Sequence, residues 1–357
     1  MKKFLRILGI GFTYLALTLV FLFCFLLLVI TVLFHGPSED ARDIFTRSCQ
    51  ETSALKFLPY WFLPADTVDT ILGKNAVNTP APVYVAGSYP DLRPEAEKTA
   101  EAETSAGAEA AAEEQPAEAE APASKRVYVE EVKEGVYKGM MMIVPDPSQV
   151  IVGTLPNYST TAAGKLLPDF IEDYGALGGT NAGGFYDPDG HGKGGCPEGM
   201  VLENGVVRYG DERVYKNVIG FTADHRLVLG NWTPSQALNA GVVSAVAFEE
   251  GFVLVKDGVA SPSQPSGVNP RTAIGQKEDG TMLLLVIEGR HAGSLGATAD
   301  DLRDIMVRYG AVNASMLDGG TSAVMFFKGE QITRGSNLLG MRHLPTAILV
   351  MPGPDDV

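Results

Sequence analysis

Asn313-Ala314-Ser315-Met316-Leu317-Asp318-Gly319-Gly320-Thr321-Ser322-Ala323-Val324-Met325-Phe326-Phe327 reads as strand, tight turn, strand. Asp318 sits where the apolar residues stop. Gly319 and Gly320 follow it, and Thr321 and Ser322 add hydroxyls. A carboxylate on a glycine turn between two buried strands is well held yet open to a ligand. Glycines there let the ligand approach bare backbone N–H groups. The same letters have a plainer reading, because Asp-Gly is also the commonest short hairpin signal.

Four more stretches share this form, an apolar run ending in glycine-rich or polar residues. Gly178-Gly179-Thr180-Asn181-Ala182-Gly183-Gly184-Phe185-Tyr186 places the Asn181 amide between glycine pairs. An amide there can donate and accept toward sugar hydroxyls, or Asn181 can simply take the left-handed position of a turn. Asp187-Pro188-Asp189-Gly190-His191-Gly192 resembles a calcium loop without its downstream glutamate. A plain loop is the favoured reading, and a structural divalent cation such as calcium is the alternative. No other cofactor is expected, and no catalytic metal site.

Asn269-Pro270-Arg271-Thr272-Ala273-Ile274-Gly275 puts a guanidinium at the start of an apolar strand. It suits bidentate capture of a phosphate or carboxylate, or a salt-bridged strand end. Val286-Ile287-Glu288-Gly289-Arg290-His291 brings two charges and an imidazole to one strand end. Strand alternation places Glu288 and Arg290 on one face and His291 on the other, unless Gly289 bends the chain. Two arginines, two carboxylates, an amide and glycine N–H groups together suit an anionic, polyhydroxylated ligand such as a sugar phosphate. The chain has no Gly-x-Ser-x-Gly, no His-Glu-x-x-His and no phosphate-loop pattern.

Around these stretches lies an α+β pattern, strands with few helices, over residues 127–353. It is expected to form a single globular domain with a mixed or antiparallel sheet core. Asn204-Gly205 and Asp279-Gly280 mark hairpin turns between apolar runs. Thr298 should cap a helix running to Tyr309, with Leu302, Ile305, Met306 and Tyr309 making its apolar face. Residues 162–174 have helical spacing that Pro168 interrupts.

The first 126 residues are of other kinds. Residues 7–34 carry no charged side chain, enough for a bilayer span of about 20 residues. The run is too long for a signal-peptide core of about 7–15 residues and shows no small-residue cleavage site. It reads as an uncleaved anchor behind a 1–6 stub. Lys2, Lys3 and Arg6 before it imply a cytoplasmic N-terminus, with the rest outside the plasma membrane. Residues 35–93 form a juxtamembrane segment. In it, Phe57-Leu58-Pro59-Tyr60-Trp61-Phe62-Leu63-Pro64 suits either a membrane surface or a short packed helix. Residues 94–126 hold nine glutamates against Lys98, Lys125 and Arg126, with alanine filling most of the rest. With no large apolar residue they read as a disordered linker. That linker contributes much of the net charge of -15, which argues against nucleic acid as a partner. Cys49 and Cys196 are the two cysteines outside the apolar run; pairing and free thiols both remain open.

The order Asn-x-Gly-Gly-Phe, Pro-Arg-Thr-Ala-Ile-Gly, Glu-Gly-Arg, helix, Leu-Asp-Gly-Gly-Thr-Ser strongly resembles the phosphodiester glycosidase family, over about residues 127–351. Two departures stand out. Ala182 intervenes in the family's Asn-Gly-Gly-Phe-Phe, with Tyr186 after Phe185, and Thr321 replaces the third glycine after Asp318. The resemblance implies a site of Asn181, Arg271, Glu288, Arg290 and Asp318, flanked by Gly319, Gly320 and Thr321. It implies a hydrolase acting on the C1–O bond of a sugar-1-phosphodiester, and with the anchor read from residues 7–34 the expectation is a membrane-anchored, extracytoplasmic enzyme acting on a glycan or cell-envelope polymer. The arginines would bind the phosphate, Asn181 the sugar, and Asp318 or Glu288 would activate water or stabilise the oxocarbenium-like centre. A metal-assisted phosphodiesterase cleaving P–O and a non-catalytic domain binding anionic glycans are the alternatives.

Overall fold

A computed structural model describes residues 2–73 and 126–356, apart from 215, 249–251 and 337–339. The acidic linker expected at 94–126 therefore falls, except for Arg126, outside the described residues, as does 74–93 of the juxtamembrane segment. The strands run β1 (Tyr128–Glu134), β2 (Tyr137–Val144), β3 (Val150–Gly153), β4 (Gly178–Asn181), β5 (Val201–Glu203), β6 (Val206–Tyr209), β7 (Lys216–Thr222), β8 (Leu227–Trp232) and β9 (Val242–Ala247). They continue as β10 (Val253–Lys256), β11 (Val259–Ala260), β12 (Arg271–Lys277), β13 (Met282–Ile287), β14 (Ala311–Leu317), β15 (Met325–Phe327), β16 (Glu330–Gln331) and β17 (Ala347–Val350). The α-helices are α1 (Lys2–His35), α2 (Glu39–Gln50), α3 (Leu58–Phe62), α4 (Ala65–Gly73), α5 (Leu167–Tyr174), α6 (Pro234–Asn239) and α7 (Ala299–Arg308).

The strands make three sheets, in the orders β1-β2-β13-β12-β14-β10-β11, β16-β15-β4-β17-β3 and β6-β5-β9-β7-β8. Their registers are antiparallel. β13, Met-Leu-Leu-Leu-Val-Ile, is buried at every position because it lies inside the largest sheet and is covered on both faces. β1, at that sheet's edge, buries only Val132 fully. One core joins the three sheets: Met142, Ile274 and Leu284 from the first, Val152 and Ile348 from the second, and Ile219 and Val246 from the third. The fold is α+β with antiparallel sheets, as the strand pattern implies.

Thr298 caps α7 as expected: its Oγ1 accepts from Asp301 N (3.2 Å), and its own N–H donates to Asp301 Oδ2 (2.7 Å). Leu302, Ile305 and Met306 face inward from it. Gly275 of β12 lets α7 come close, since a Cβ there would lie 3.0 Å from Met306 Sδ. Pro168 does not interrupt its helix. α5 begins at Leu167, so Pro168 falls in the first turn, where the missing N–H has no intrahelical partner to lose.

The Asp318 turn is not a hairpin. β14 pairs with β12 and β10, whereas β15 pairs with β4 and β16 in a different sheet. The chain uses Leu317–Met325 to cross between sheets, and Asp318 N donates to Ala182 O (3.0 Å), just past the end of β4. At the other end of the chain, α1 includes Ile10–His35, which is long and apolar enough to cross a membrane (mean hydropathy 3.1). Its end packs on α2–α4 around Phe34, Leu63, Val68 and Ile71.

Candidate active site

Register explains why residues far apart in sequence meet. Arg271, first in β12, pairs with Ile287, last in β13, and Thr272 pairs with Leu317, last in β14. Antiparallel pairing thus gathers Arg271, Glu288, Arg290 and Asp318 at one end of the central strands of the largest sheet.

Asn181 braces these strand ends from within. It is 0% exposed, its Nδ2 donates to the Asp318 carbonyl, and its Oδ1 accepts from Thr272 Oγ1 (2.8 Å) and Val324 N (3.3 Å). It lies in β4, not in a left-handed turn, and holds the Asp318 crossover instead of facing a ligand. The glycine amides are also less bare than the sequence implies, because Gly320 N donates to Pro270 O (2.8 Å). What the glycines supply is closeness. A Cβ on Gly319 would meet Pro270 O at 2.8 Å, and one on Gly320 would come within 3.5 Å of the Arg290 guanidinium, at φ +60.

Asp318 is half-buried, next in sequence to Gly319 and Gly320, whose backbones approach Arg271 and Arg290. Burial pushes its carboxyl up to about 7, and the Glu198 and Asp187 charges add to that; Ser322, by a hydrogen bond, and Arg342, by its charge, oppose it. Arg342 also donates to Thr321 Oγ1 (3.3 Å), pairs with Asp187 Oδ1 (2.9 Å) and lies 5.1 Å from the Phe185 ring centroid. Asp187, the first residue of the calcium-like stretch, is thereby taken up by an arginine and by Gly192 N. Among the described residues no group of three His, Cys, Asp or Glu side chains is placed to hold a metal ion.

Glu288 has a different setting. It is 6% exposed and receives Arg334 N at Oε1 (2.8 Å), with Lys138 Nζ (3.3 Å) and His291 Nε2 (3.1 Å) at Oε2. Strand alternation fails here because β13 ends at Ile287 and Arg290 takes φ +62. His291 therefore swings to Glu288, and Arg290 leaves it.

Arg290 instead donates through Nη2 to Asn269 Oδ1 (2.9 Å) and Thr52 Oγ1 (3.0 Å). Arg271 is fixed by Ala297 O (3.2 Å) and Gly267 O (2.7 Å), and its Nη2 also donates to Glu51 Oε2 (2.6 Å). Burial, and then the nearby Arg271 charge, lower the Arg290 pKa; Glu51 opposes them.

Glu51 and Thr52 belong to the juxtamembrane segment, just past α2. Glu51 also accepts from Gly267 N (2.7 Å) and Asn269 Nδ2 (2.8 Å), and Ser48 Oγ accepts from Val268 N (2.8 Å). A carboxylate ringed by one guanidinium, one backbone N–H and one amide, with a second guanidinium adjacent, occupies an anion site. Cys49, next to it, is buried and free, its thiol pushed up to about 11 by burial, and Cys196 is free as well. The two do not pair.

Several of these residues escape a reading by motif. Asn269 precedes Pro270-Arg271 within a recognised stretch, so proximity to the motif was its signal. Glu51, Thr52, Glu198 and Arg342 have none, because contacts between residues so distant in sequence leave no local pattern.

Residues 174–351 match the family model described as phosphodiester glycosidase. The SPbeta prophage-derived uncharacterized protein YomE of Bacillus subtilis (strain 168) is 33% identical over 125 residues. That match covers 33% of this chain and 19% of YomE, well under two thirds of the relative's length. Among solved structures, the fold is similar to the zebrafish N-acetylglucosamine-1-phosphodiester alpha-N-acetylglucosaminidase catalytic domain, auto-inhibited by its pro-peptide. The TM-score is 0.52 at 17% identity, over 67% of this chain and 87% of that one.

Proposed function

From a chain that belongs, through residues 174–351, to the phosphodiester glycosidase family, we propose hydrolysis of a sugar-1-phosphodiester at the anomeric C1–O bond. The observation that carries this reading is Arg271 holding the Glu51 carboxylate with the Arg290 guanidinium adjacent, at the same strand ends as a carboxyl whose pKa is raised to about 7. The substrate's phosphate would take the place of the Glu51 carboxylate. The departing phosphomonoester is a good leaving group, and two guanidinium groups would stabilise its growing charge. Little general-acid help is then needed.

Water must still be activated at C1. Glu288 is a poor candidate, because Lys138, His291 and Arg334 N already engage its oxygens. Asp318 fits better. Held by the Asn181 brace and poised near neutral pH, it would accept the water proton as the sugar cation develops, and burial would favour its protonated form afterwards. Thr321 and Arg342 would line the sugar side. Glu288 is then a positioning residue that fixes the bend leading to Arg290.

The same reading gives the juxtamembrane segment a role. Glu51 competes with substrate phosphate for Arg271, so the segment would hold the site closed until it is displaced. The zebrafish structure is described as auto-inhibited by its pro-peptide, and that similarity supports the reading. We place α1 across the plasma membrane with the catalytic domain outside, on the strength of its length, its apolarity and the preceding Lys2, Lys3 and Arg6.

The test is the purified full chain in detergent or nanodiscs against a panel of sugar-1-phosphodiesters, with Asp318→Asn as control. Turnover by the wild type that the variant lacks supports the assignment. Binding without turnover, kept by the variant, would make this a glycan-binding domain instead.

A further inference from the structure

Residues 55–61 carry apolar surface that the site does not use. Trp61 is 75% exposed, Phe57 47%, Tyr60 46% and Leu55 40%. The Phe57 and Trp61 rings lie 4.7 Å apart, so this is one contiguous aromatic ledge on α3 and the turn before it. Such ledges are uncommon on surfaces that face only water. Tryptophan and tyrosine, each an apolar body with a polar tip, are the side chains enriched at bilayer boundaries.

The neighbour of the ledge indicates its partner. Phe62, on the inner side of α3, stacks on Phe34 near the end of α1, with centroids 5.2 Å apart and planes at 16°. Phe34 also meets Phe45 of α2 at 5.2 Å. The ledge thus continues directly from a helix whose side chains over Ile10–His35 are almost wholly uncovered. Lys56 lies in the middle of it, exposed, as a cation for lipid phosphate.

We propose that Leu55, Phe57, Tyr60 and Trp61 insert into the headgroup boundary of the phospholipid bilayer that α1 crosses. The helices α2–α4 then lie on the membrane surface as a bracket between the anchor and the domain. One end of the bracket is Phe45 against Phe34; the other is Glu51 against Arg271. Six helical residues separate Phe45 from Glu51, roughly 9 Å of rise. The arginine pair is therefore held within a helix turn or two of the bilayer. It faces phosphodiesters at the membrane surface, such as a lipid-linked sugar phosphate or the anchored end of a polymer. The placement of the ledge rests on α1 as a membrane span, and the substrate consequence on the anion-site reading above.

Trp61 reports on this directly, because the only other tryptophan, Trp232, is 2% exposed and buried. The experiment compares wild type with Trp61→Phe, full chain, in phosphatidylcholine nanodiscs with and without brominated acyl chains. The difference spectrum isolates Trp61 while leaving the core intact. A blue-shifted Trp61 emission, quenched at least two-fold by brominated lipid and resistant to aqueous iodide, is expected. Quenching by iodide with none by brominated lipid overturns the proposal, as does shielding from both, which would mean a protein covers the ledge. No turnover enters the readout, so a failed glycosidase assignment leaves this result interpretable on its own.

Discussion

Glu51 Oε2 lies 2.6 Å from Arg271 Nη2, across 220 positions of chain. Neither residue has a full set of partners without the other. Arg271 is 8% exposed, and its remaining bonds go to two backbone carbonyls, so among the described residues Glu51 is the carboxylate paired with it. An anion of another kind can do the same.

Removing the plug should therefore open the site. Glu51→Ala is expected to raise kcat/KM for a sugar-1-phosphodiester by about ten-fold, equivalent to about 1.4 kcal/mol of relieved competition. Inhibition by inorganic phosphate should strengthen in step, because both anions compete with the same carboxylate. Steady-state kinetics check both. An unchanged or lower kcat/KM would mean that Glu51 supports the site and does not block it.

Asp318→Asn is expected to lower kcat by about 10²–10⁴ while leaving KM within a few-fold, the pattern for loss of a general base. In the wild type, kcat should rise with pH and level off above about 7, as the raised carboxyl ionises. A profile that falls through the same range would assign Asp318 as the acid.

The same shift has a consequence for stability. The native pKa of about 7 lies above the ordinary 3.8, so between those values the folded chain keeps a proton that the unfolded chain releases. Wild-type stability should fall as pH rises from about 4 to about 7 and then flatten in its dependence on this group. Asp318→Asn removes that dependence. Thermal melts should show the variant more stable by a few degrees at about pH 8, with the difference gone below about pH 4.

Glu288→Gln separates positioning from proton transfer. Its partners Lys138 and His291 lose a countercharge, so the melting temperature should drop, by the order of 1–3 kcal/mol in stability. The pH midpoint of kcat should stay where Asp318 sets it. A midpoint that moves with Glu288→Gln would transfer the base role to Glu288.

Arg290→Ala should separate activity from stability in the opposite sense. The guanidinium is desolvated and beside Arg271, costs that offset its hydrogen bonds to Asn269 and Thr52. A loss of about 10²–10³ in kcat/KM with a melting temperature within about 2 °C of wild type is expected. Arg290→Lys should not restore the activity, because an ammonium lacks the planar fork.

Much of this architecture is written locally. The capped helix after Thr298, the hairpins at Asn204-Gly205 and Asp279-Gly280, and the α+β alternation are short-range patterns, and each has its counterpart in the structure. Of the site, Arg271, Glu288, Arg290 and Asp318 were legible because each ends or begins an apolar run. Their roles were less so. Asp-Gly after a strand looks the same whether the next strand pairs back or joins another sheet, which is why the β14–β15 crossover resembles a hairpin. Asn181 reads as a ligand group by residue type, and only its burial shows it to be a brace. Arg290 at φ +62 breaks the alternation that would have set it beside Glu288. Glu51 was invisible from either end, since its partners lie beyond the acidic linker.

The most direct test of the central claim is hydrolysis of a sugar-1-phosphodiester by the full chain in isotopically heavy-oxygen water, followed by mass spectrometry of both products. Attack at C1 with Asp318 as base predicts the label in the released sugar and none in the phosphomonoester. Label in the phosphomonoester would place the cleavage at P–O and contradict the account.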